Sequence, residues 1–189
     1  MPTSSTKCAW CLSAADYEAY HDTYWGLPVH DDALMFQFLI LETFQAGLSW
    51  LMVWRKREAF AEVFHHFNLE KMAAMTEEDV ERLGQDARII RNRAKIRGAI
   101  KNARATLALR QEGQGLADYF WQWTEGKSLL RAAGAPIPAR STLSDAISAD
   151  LKKRGFSFVG STVIYAHLQA TGIINDHDVT CFRYLEVQA

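Results

Sequence analysis

The chain has 189 residues with 21 Lys and Arg against 22 Asp and Glu, a formal charge of −1. That length suits one compact unit with a sizeable core, or two small lobes, and the balance argues against an indiscriminate nucleic-acid binder. No run of eighteen apolar residues and no basic-apolar-small leader occurs, so neither a membrane span nor a signal peptide is expected and the location expected is cytoplasmic; three cysteines are too few and too odd for a disulfide framework, which leaves metal-bound or free thiols.

In chain order, residues 2–6 are polar and expected to be loose. Cys8-Ala-Trp-Cys11 follows, then a stretch from Tyr17 to Gly26 dense in aromatics and closed by Pro28, which reads as irregular structure. Asp31 or Asp32 can cap a helix running through Leu34, Phe38 and Leu41 to Phe44. Glu42 lies at the end of its apolar run, where ionising a carboxyl is costly unless a donor or cation answers it, so a partner is expected. Gln45-Ala-Gly-Leu48 then breaks the helix and presents an apolar tip, and Ser49 caps a new helix carrying Trp50, Leu51, Trp54, Phe60, Val63 and Phe64. A buried acid, a helix end and a protruding tip in one segment could form the floor and rim of a pocket.

A short helix is expected from Thr76 to Gly84, and a long basic helix from Asp86 to Glu112 with Ile89, Ile96, Ile100 and Leu107 on one face. Acidic residues from Glu70 to Glu81 precede basic ones from Arg82 to Arg104. These charges are either ion-paired helix faces or a phosphate-facing surface, since only Asp86 offsets the basic cluster locally. Beyond a Gly- and Pro-marked region around Tyr119–Trp123, Thr142 or Ser144 caps a helix ending in Lys152-Lys153-Arg154. Gly155-Phe-Ser-Phe-Val-Gly160 leads from there into an apolar helix, Val163 to Ala170. Nothing alternates with period two, so an all-α chain without repeats or a clear linker is expected.

Three constellations carry chemistry. Cys8 and His21 near the start, with His177 and Cys181 near the end, make a complete Cys₂His₂ set for a structural zinc with no open position; Cys8-x-x-Cys11 is an alternative pairing, and buried thiols with ordinary histidines another. Glycines at both ends of the 155–160 turn would let backbone amides approach a phosphate beside a helix N-terminus, although the motif in isolation reads first as a plain helix-helix turn with two core phenylalanines. Glu42 with Trp10, Tyr17, Tyr20, Trp25 and Trp50 could sandwich a flipped base and read its edge, or the aromatics could simply be core.

Together these residues resemble the bacterial 3-methyladenine DNA glycosylase I family of the helix-hairpin-helix superfamily. The resemblance is carried by Cys-Ala-Trp at 8–10, Tyr-His-Asp-x-x-Trp-Gly-x-Pro at 20–28, Leu-Glu-x-x-Gln-Ala-Gly-Leu-Ser-Trp at 41–50, Lys-Lys-Arg-Gly-Phe-x-Phe-Val-Gly at 152–160 and Asn-Asp-His at 175–177. It implies an all-α helix-hairpin-helix bundle whose ends are joined by one structural zinc on Cys8, His21, His177 and Cys181. By the same resemblance Glu42 hydrogen-bonds the methylated adenine, Tyr20 and Trp50 flank it, and Trp10, Tyr17 and Trp25 complete the pocket. Gln45, Gly47 and Leu48 fall where the turn fills the gap left by the extruded nucleotide, and Lys152, Lys153, Arg154, Gly155 and Gly160 where the hairpin grips DNA.

The implied activity is hydrolysis of the N-glycosidic bond of 3-methyladenine in alkylated duplex DNA, by a monomer that needs neither a membrane nor a nucleotide cofactor. No lysine falls beside the turn in sequence as a Schiff-base nucleophile, so an abasic product is expected. Asp176 lies near where many superfamily members carry a catalytic aspartate, with a weaker claim than Glu42. Cys11, Tyr24 and Phe44 depart from the family pattern. The alternative is a non-catalytic, zinc-stapled helix-hairpin-helix DNA-binding module.

Overall fold

The computed structural model describes residues 6–187, so the loose segment expected at the N-terminus lies, but for Thr6, outside the described residues. The chain is mostly helical, built around α2 (Asp32–Gln45). Met35, Phe36 and every residue from Phe38 to Phe44 of α2 are buried, a helix apolar nearly all round and therefore one that must be enclosed. It is covered by α3 (Trp50–Arg55), α7 (Arg93–Gln111), α8 (Leu116–Trp121) and α10 (Ser161–Ala170). Glu42 is buried because its helix is.

Local chemistry fixes the ends of α2. Asp31 is the N-cap, accepting from Leu34 N at 2.8 Å, whereas Asp32 accepts from Ala117 N and ties α2 to the start of α8. At the other end Gly47, at φ +82° with open space where a Cβ would stand, allows the sharp reversal, and Ser49 accepts from Met52 N to start α3. Glycine takes that left-handed conformation without strain.

Several elements differ from the sequence reading. The aromatic stretch is not irregular: Ala15–Thr23 forms helix α1, with Tyr20 and His21 buried, because packing of large rings overrides weak propensity. The helix opened by Ser49 breaks at Lys56, and α4 (Arg57–Val63) continues it; Lys56 Nζ reaches the carbonyls of Ala87 and Arg88. The basic helix begins at Arg93, not Asp86. Asp86 instead closes a turn by accepting from the backbone and guanidinium of Arg88, and Asn92 caps α7.

In α9 (Thr142–Lys153) the cap is Ser141, in reciprocal hydrogen bonds with Ser144. The helix reading omits one short ladder, in which β1 (Leu129–Leu130) pairs in parallel with β2 (Ile174–Asn175); two residues are too short for any period to show. Half of the basic cluster, four of its eight residues, is ion-paired. Arg82 pairs with Asp79, Arg88 with Asp86 and Glu62, Arg93 with Glu81 on α6 (Glu77–Leu83), and Arg97 with Glu77. Glu62, Glu77 and Glu81 reach it from other elements and are invisible in the local sequence, whereas Asp79 lies one turn before Arg82 on α6 and Asp86 two residues before Arg88.

The core holds an unpaired histidine. His167 of α10 is fully buried 4.5 Å from the Phe120 ring, and neither ring nitrogen has a hydrogen-bond partner among the described residues. Burial lowers its pKa to about 3. The folded state therefore binds fewer protons than the unfolded one, and stability present above pH 6.5 is lost as pH falls from there toward 3. His167→Leu, similar in volume and without unpaired nitrogens, should stabilise the fold by about 1–3 kcal/mol at neutral pH. The gain in melting temperature should widen at pH 5; equal melting curves for the two proteins at pH 5 would contradict this account.

Candidate active site and metal centre

A cavity of about 320 Å³ opens beside the C-terminal half of α2, lined by Trp10, Tyr17, Tyr20, Trp25, Glu42, Gln45, Trp50, Ile137, Ala166 and Gln169. All five aromatics singled out in the sequence line it together with Glu42. A short 3-10 turn, Ala9–Ser13, carries Trp10, α1 carries Tyr17 and Tyr20, and α3 begins with Trp50. The rings brace one another: Trp10 meets Tyr17 edge-on at 4.7 Å and Trp25 at 4.9 Å, and Tyr20 packs on Trp50 at 5.4 Å and on Trp54 at 4.4 Å. Rings fixed in this way form rigid walls for a flat guest.

Ile137, Ala166 and Gln169 were missed in the sequence. Ile137 had a signal, since it is the one large apolar side chain in a loop of small residues, set between Pro136 and Pro138. Ala166 and Gln169 sit on α10, whose apolar run reads as core.

The expected partner for Glu42 is not there. No hydrogen bond or ion pair reaches its carboxyl among the described residues, and burial pushes its pKa up to about 8. In the empty pocket at neutral pH the group is therefore mostly protonated. The indole Nε1 of Trp50 is likewise buried with no hydrogen-bond acceptor in place among the described residues. An apolar cavity with one carboxyl and one indole donor unspent is built to be completed by a polar, planar ligand.

The rim is the turn after α2. Leu48 N donates to Gln45 O at 2.7 Å, and the Gln45 amide donates back to Leu48 O at 3.2 Å, so the turn is closed on itself. Leu48 is half-buried, less prominent than expected. A lysine does lie at this turn, contrary to the sequence reading: Lys95 of α7 donates to Phe44 O at 2.8 Å and Ala46 O at 2.7 Å. Its ammonium is occupied, and it does not line the cavity.

Asp176 is buried and answered from three sides, by Arg131 at 3.1 Å, Tyr165 Oη at 2.7 Å and Gln169 Nε2 at 2.8 Å. It shapes the cavity only through Gln169. In the second turn, Lys152 and Lys153 are exposed at the end of α9, whereas the Arg154 guanidinium binds Asp150 and Glu112.

Directly behind the aromatic wall, Cys8, His21, His177 and Cys181 converge, all buried, with their ligand atoms within 4.8 Å of one another. Cys181 Sγ lies 3.4 Å from His21 Nε2 and 3.7 Å from His177 Nδ1, and Cys8 Sγ lies 3.6 Å from His177 Nδ1. A tetrahedral zinc with bonds of about 2.0–2.3 Å has edges of about 3.3–3.8 Å between its ligands, and these three separations lie in that range, so the donor set suits a tetrahedral ion once the widest pair draws in.

The outer contacts fit as well. His21 Nδ1 is held by Asp22 and His177 Nε2 by the Trp25 carbonyl, which leaves the inward nitrogens as lone-pair donors. Gly26, at φ +78°, passes so close that a Cβ would lie 2.5 Å from His177 Nε2. Cys11 turns away and donates to Cys8 O at 3.1 Å, so the Cys8-Cys11 pairing is not part of the group.

Comparisons with known proteins agree with this arrangement. A family model for methyladenine glycosylase matches residues 10–184. DNA-3-methyladenine glycosylase 1 of Escherichia coli K12 is 47% identical over 180 residues, covering 94% of this chain and 96% of the relative. The DNA-3-methyladenine glycosylase of Haemophilus influenzae is 38% identical, covering 94% and 97%. The solved 3-methyladenine DNA glycosylase I of Staphylococcus aureus, described for its recognition of 3-methyladenine, superposes with a TM-score of 0.90 at 30% identity over 98% of both chains. With a family match spanning nearly every described element, and close relatives covered almost end to end, the chain belongs to the methyladenine glycosylase family.

Proposed function

We propose that this protein is a monofunctional DNA-3-methyladenine glycosylase of base excision repair, acting on alkylated duplex DNA by base flipping. The observation that carries the reading is the unpartnered Glu42 carboxyl inside a rigid aromatic pocket, in a chain of this family. Methylation at N3 makes the base a cation. Its departure as a neutral purine needs little general acid, so discrimination rests on binding.

Tyr20 and Trp50 flank the base, Trp10, Tyr17 and Trp25 complete its cage, and the rings interact with a cation more strongly than with neutral adenine. A cationic guest also draws the proton off Glu42, and the resulting carboxylate pairs with it. Neutral adenine offers no charge to offset ionising a buried acid, so it is rejected. Water attacks the sugar carbon, and the product is an abasic site.

Gln45, Gly47 and Leu48 fill the space the nucleotide leaves, while the amides of the 155–160 turn with Lys152 and Lys153 hold the backbone phosphates; Arg154, ion-paired in the free protein, contributes through its position at the turn. Cys8, His21, His177 and Cys181 would hold one zinc. When bound, that metal supplies a cross-link and no reactive site, because the four ligands complete its tetrahedral shell. The protein works as a monomer in the cytoplasm. The helix pair around 155–160 is the helix-hairpin-helix element of the fold.

Incubation with methylated duplex DNA and chromatography of the released bases tests the reading. Free 3-methyladenine should appear with little 7-methylguanine. DNA affinity that falls with salt but no released base would instead favour the non-catalytic binding module.

A further inference from the structure

Three residues of α7 touch both turns assigned above to DNA contact. Lys95, Gly98 and Asn102 are all buried and lie on one face of the helix, spaced three and four residues apart. At one end the Lys95 ammonium donates to the carbonyls of Phe44 and Ala46, fixing the C-terminus of α2 and the start of the 45–48 turn. At the other end the Asn102 amide grips both backbone groups of Ser157, accepting from its N–H at 2.7 Å and donating to its C=O at 3.1 Å. Between them Gly98 leaves room for Phe158, whose ring would lie 2.6 Å from any Cβ at that position. The two grips are about 10 Å apart along the helix axis.

Stability alone gives a weak reason for this construction. The buried Phe44 carbonyl and the part-buried Ala46 carbonyl at the helix end need a donor, but a neutral side chain or an ordered water would serve, whereas burying an ammonium is costly and burial lowers the pKa of Lys95. What the ammonium adds is a defined position at the negative end of the α2 dipole. The bidentate amide at Ser157 does the same for the second turn.

We propose that α7 is a spacer that sets the separation between the 45–48 turn and the 155–160 turn, with Lys95 and Asn102 as its positioning residues. The proposal rests on the reading that one turn fills the vacated stack while the other holds the phosphates. The two must then act on one strand at a fixed interval, and a misplacement on the order of 1 Å is enough to cost about 100-fold in rate. Lys95 is neither a nucleophile nor a pocket ligand.

The test compares release of 3-methyladenine from methylated duplex DNA with release from the same DNA heat-denatured, where no stack needs filling. Lys95→Met should lower kcat/KM on duplex by about 10–100-fold, mainly through kcat. Release from denatured DNA, and the affinity for free 3-methyladenine read from pocket tryptophan fluorescence, should stay within about threefold. Asn102→Ala, which perturbs the phosphate-holding turn, should chiefly raise KM on duplex. Borohydride should trap no covalent DNA adduct of the wild type.

Equal losses on duplex and denatured DNA, loss of free-base affinity, or unaltered duplex rates in both variants would each overturn the spacer while leaving the glycosylase reading in place. No release by the wild-type protein would overturn both.

Discussion

Glu42→Gln is expected to abolish most base release and yet to make the protein more stable. Glutamine has nearly the same shape and fills the same place at the end of α2, so the pocket persists. It cannot supply the negative charge that a cationic base requires, and kcat/KM for 3-methyladenine release should fall by about 100-fold or more. The stability effect has the opposite sign. Burial raises Glu42 to about 8 from an ordinary 4.5, so the folded state binds the proton more tightly than the unfolded one. The full contribution is present below pH 4.5 and is lost as pH rises through 8.

A shift of that size corresponds to roughly 5 kcal/mol lost above pH 8, and glutamine, which never ionises, does not lose it. Melting temperatures of the two proteins should agree near pH 4.5 and separate progressively toward pH 8.5, with the variant higher. Wild-type turnover in Glu42→Gln would remove the residue from the reaction. Superimposable melting curves across that range would mean that its carboxyl has a partner after all.

Metal removal is the second large effect. Structural zinc contributes on the order of 10 kcal/mol of folding free energy, comparable to the whole stability of a domain this size. The purified protein should contain one zinc per chain, and a strong chelator should lower its melting temperature by tens of degrees. Base binding should vanish with it, because Trp10 follows Cys8 on the same short turn and Tyr20 precedes His21 on α1. Cys181→Ser should lose the metal. Cys11→Ser should keep it, since the Cys11 thiol faces the Cys8 carbonyl. Full zinc in Cys181→Ser would make Cys11 the fourth ligand in that variant.

What could be read from the sequence follows from the range of the interactions involved. The helix through Phe44 and its break at Gly47 are local, and both were legible. The aromatics around Glu42 were legible as types, because a carboxyl in an apolar run is conspicuous. Their convergence on Glu42 was one of two readings of the residues, the other being plain core, and the family resemblance decided between them.

The partner expected for Glu42 is absent because the group avoids charge by taking up a proton, an outcome that depends on its whole surroundings. Lys95 at the turn, the pairs of Glu62, Glu77 and Glu81 with the basic cluster, and the β1–β2 ladder all bring together residues distant in the chain. No periodicity encodes such contacts. Tyr17–Thr23 was misread for a related reason, since its helix is held by ring packing that has no signature in propensity.

The cluster behind the pocket also sets a timetable. Cys8 and His21 leave the ribosome early, but their partners His177 and Cys181 come at the other end of the chain. At about 5–20 residues per second that interval lasts roughly 8–30 s. Throughout it, the segment bearing Trp10, Tyr17 and Tyr20 has two ligands and nothing to close them. With zinc on the proposed four ligands, the segment bearing that wall is stapled only once residue 181 has been made, and a chain truncated before residue 177 should bind no base even where α2 is folded.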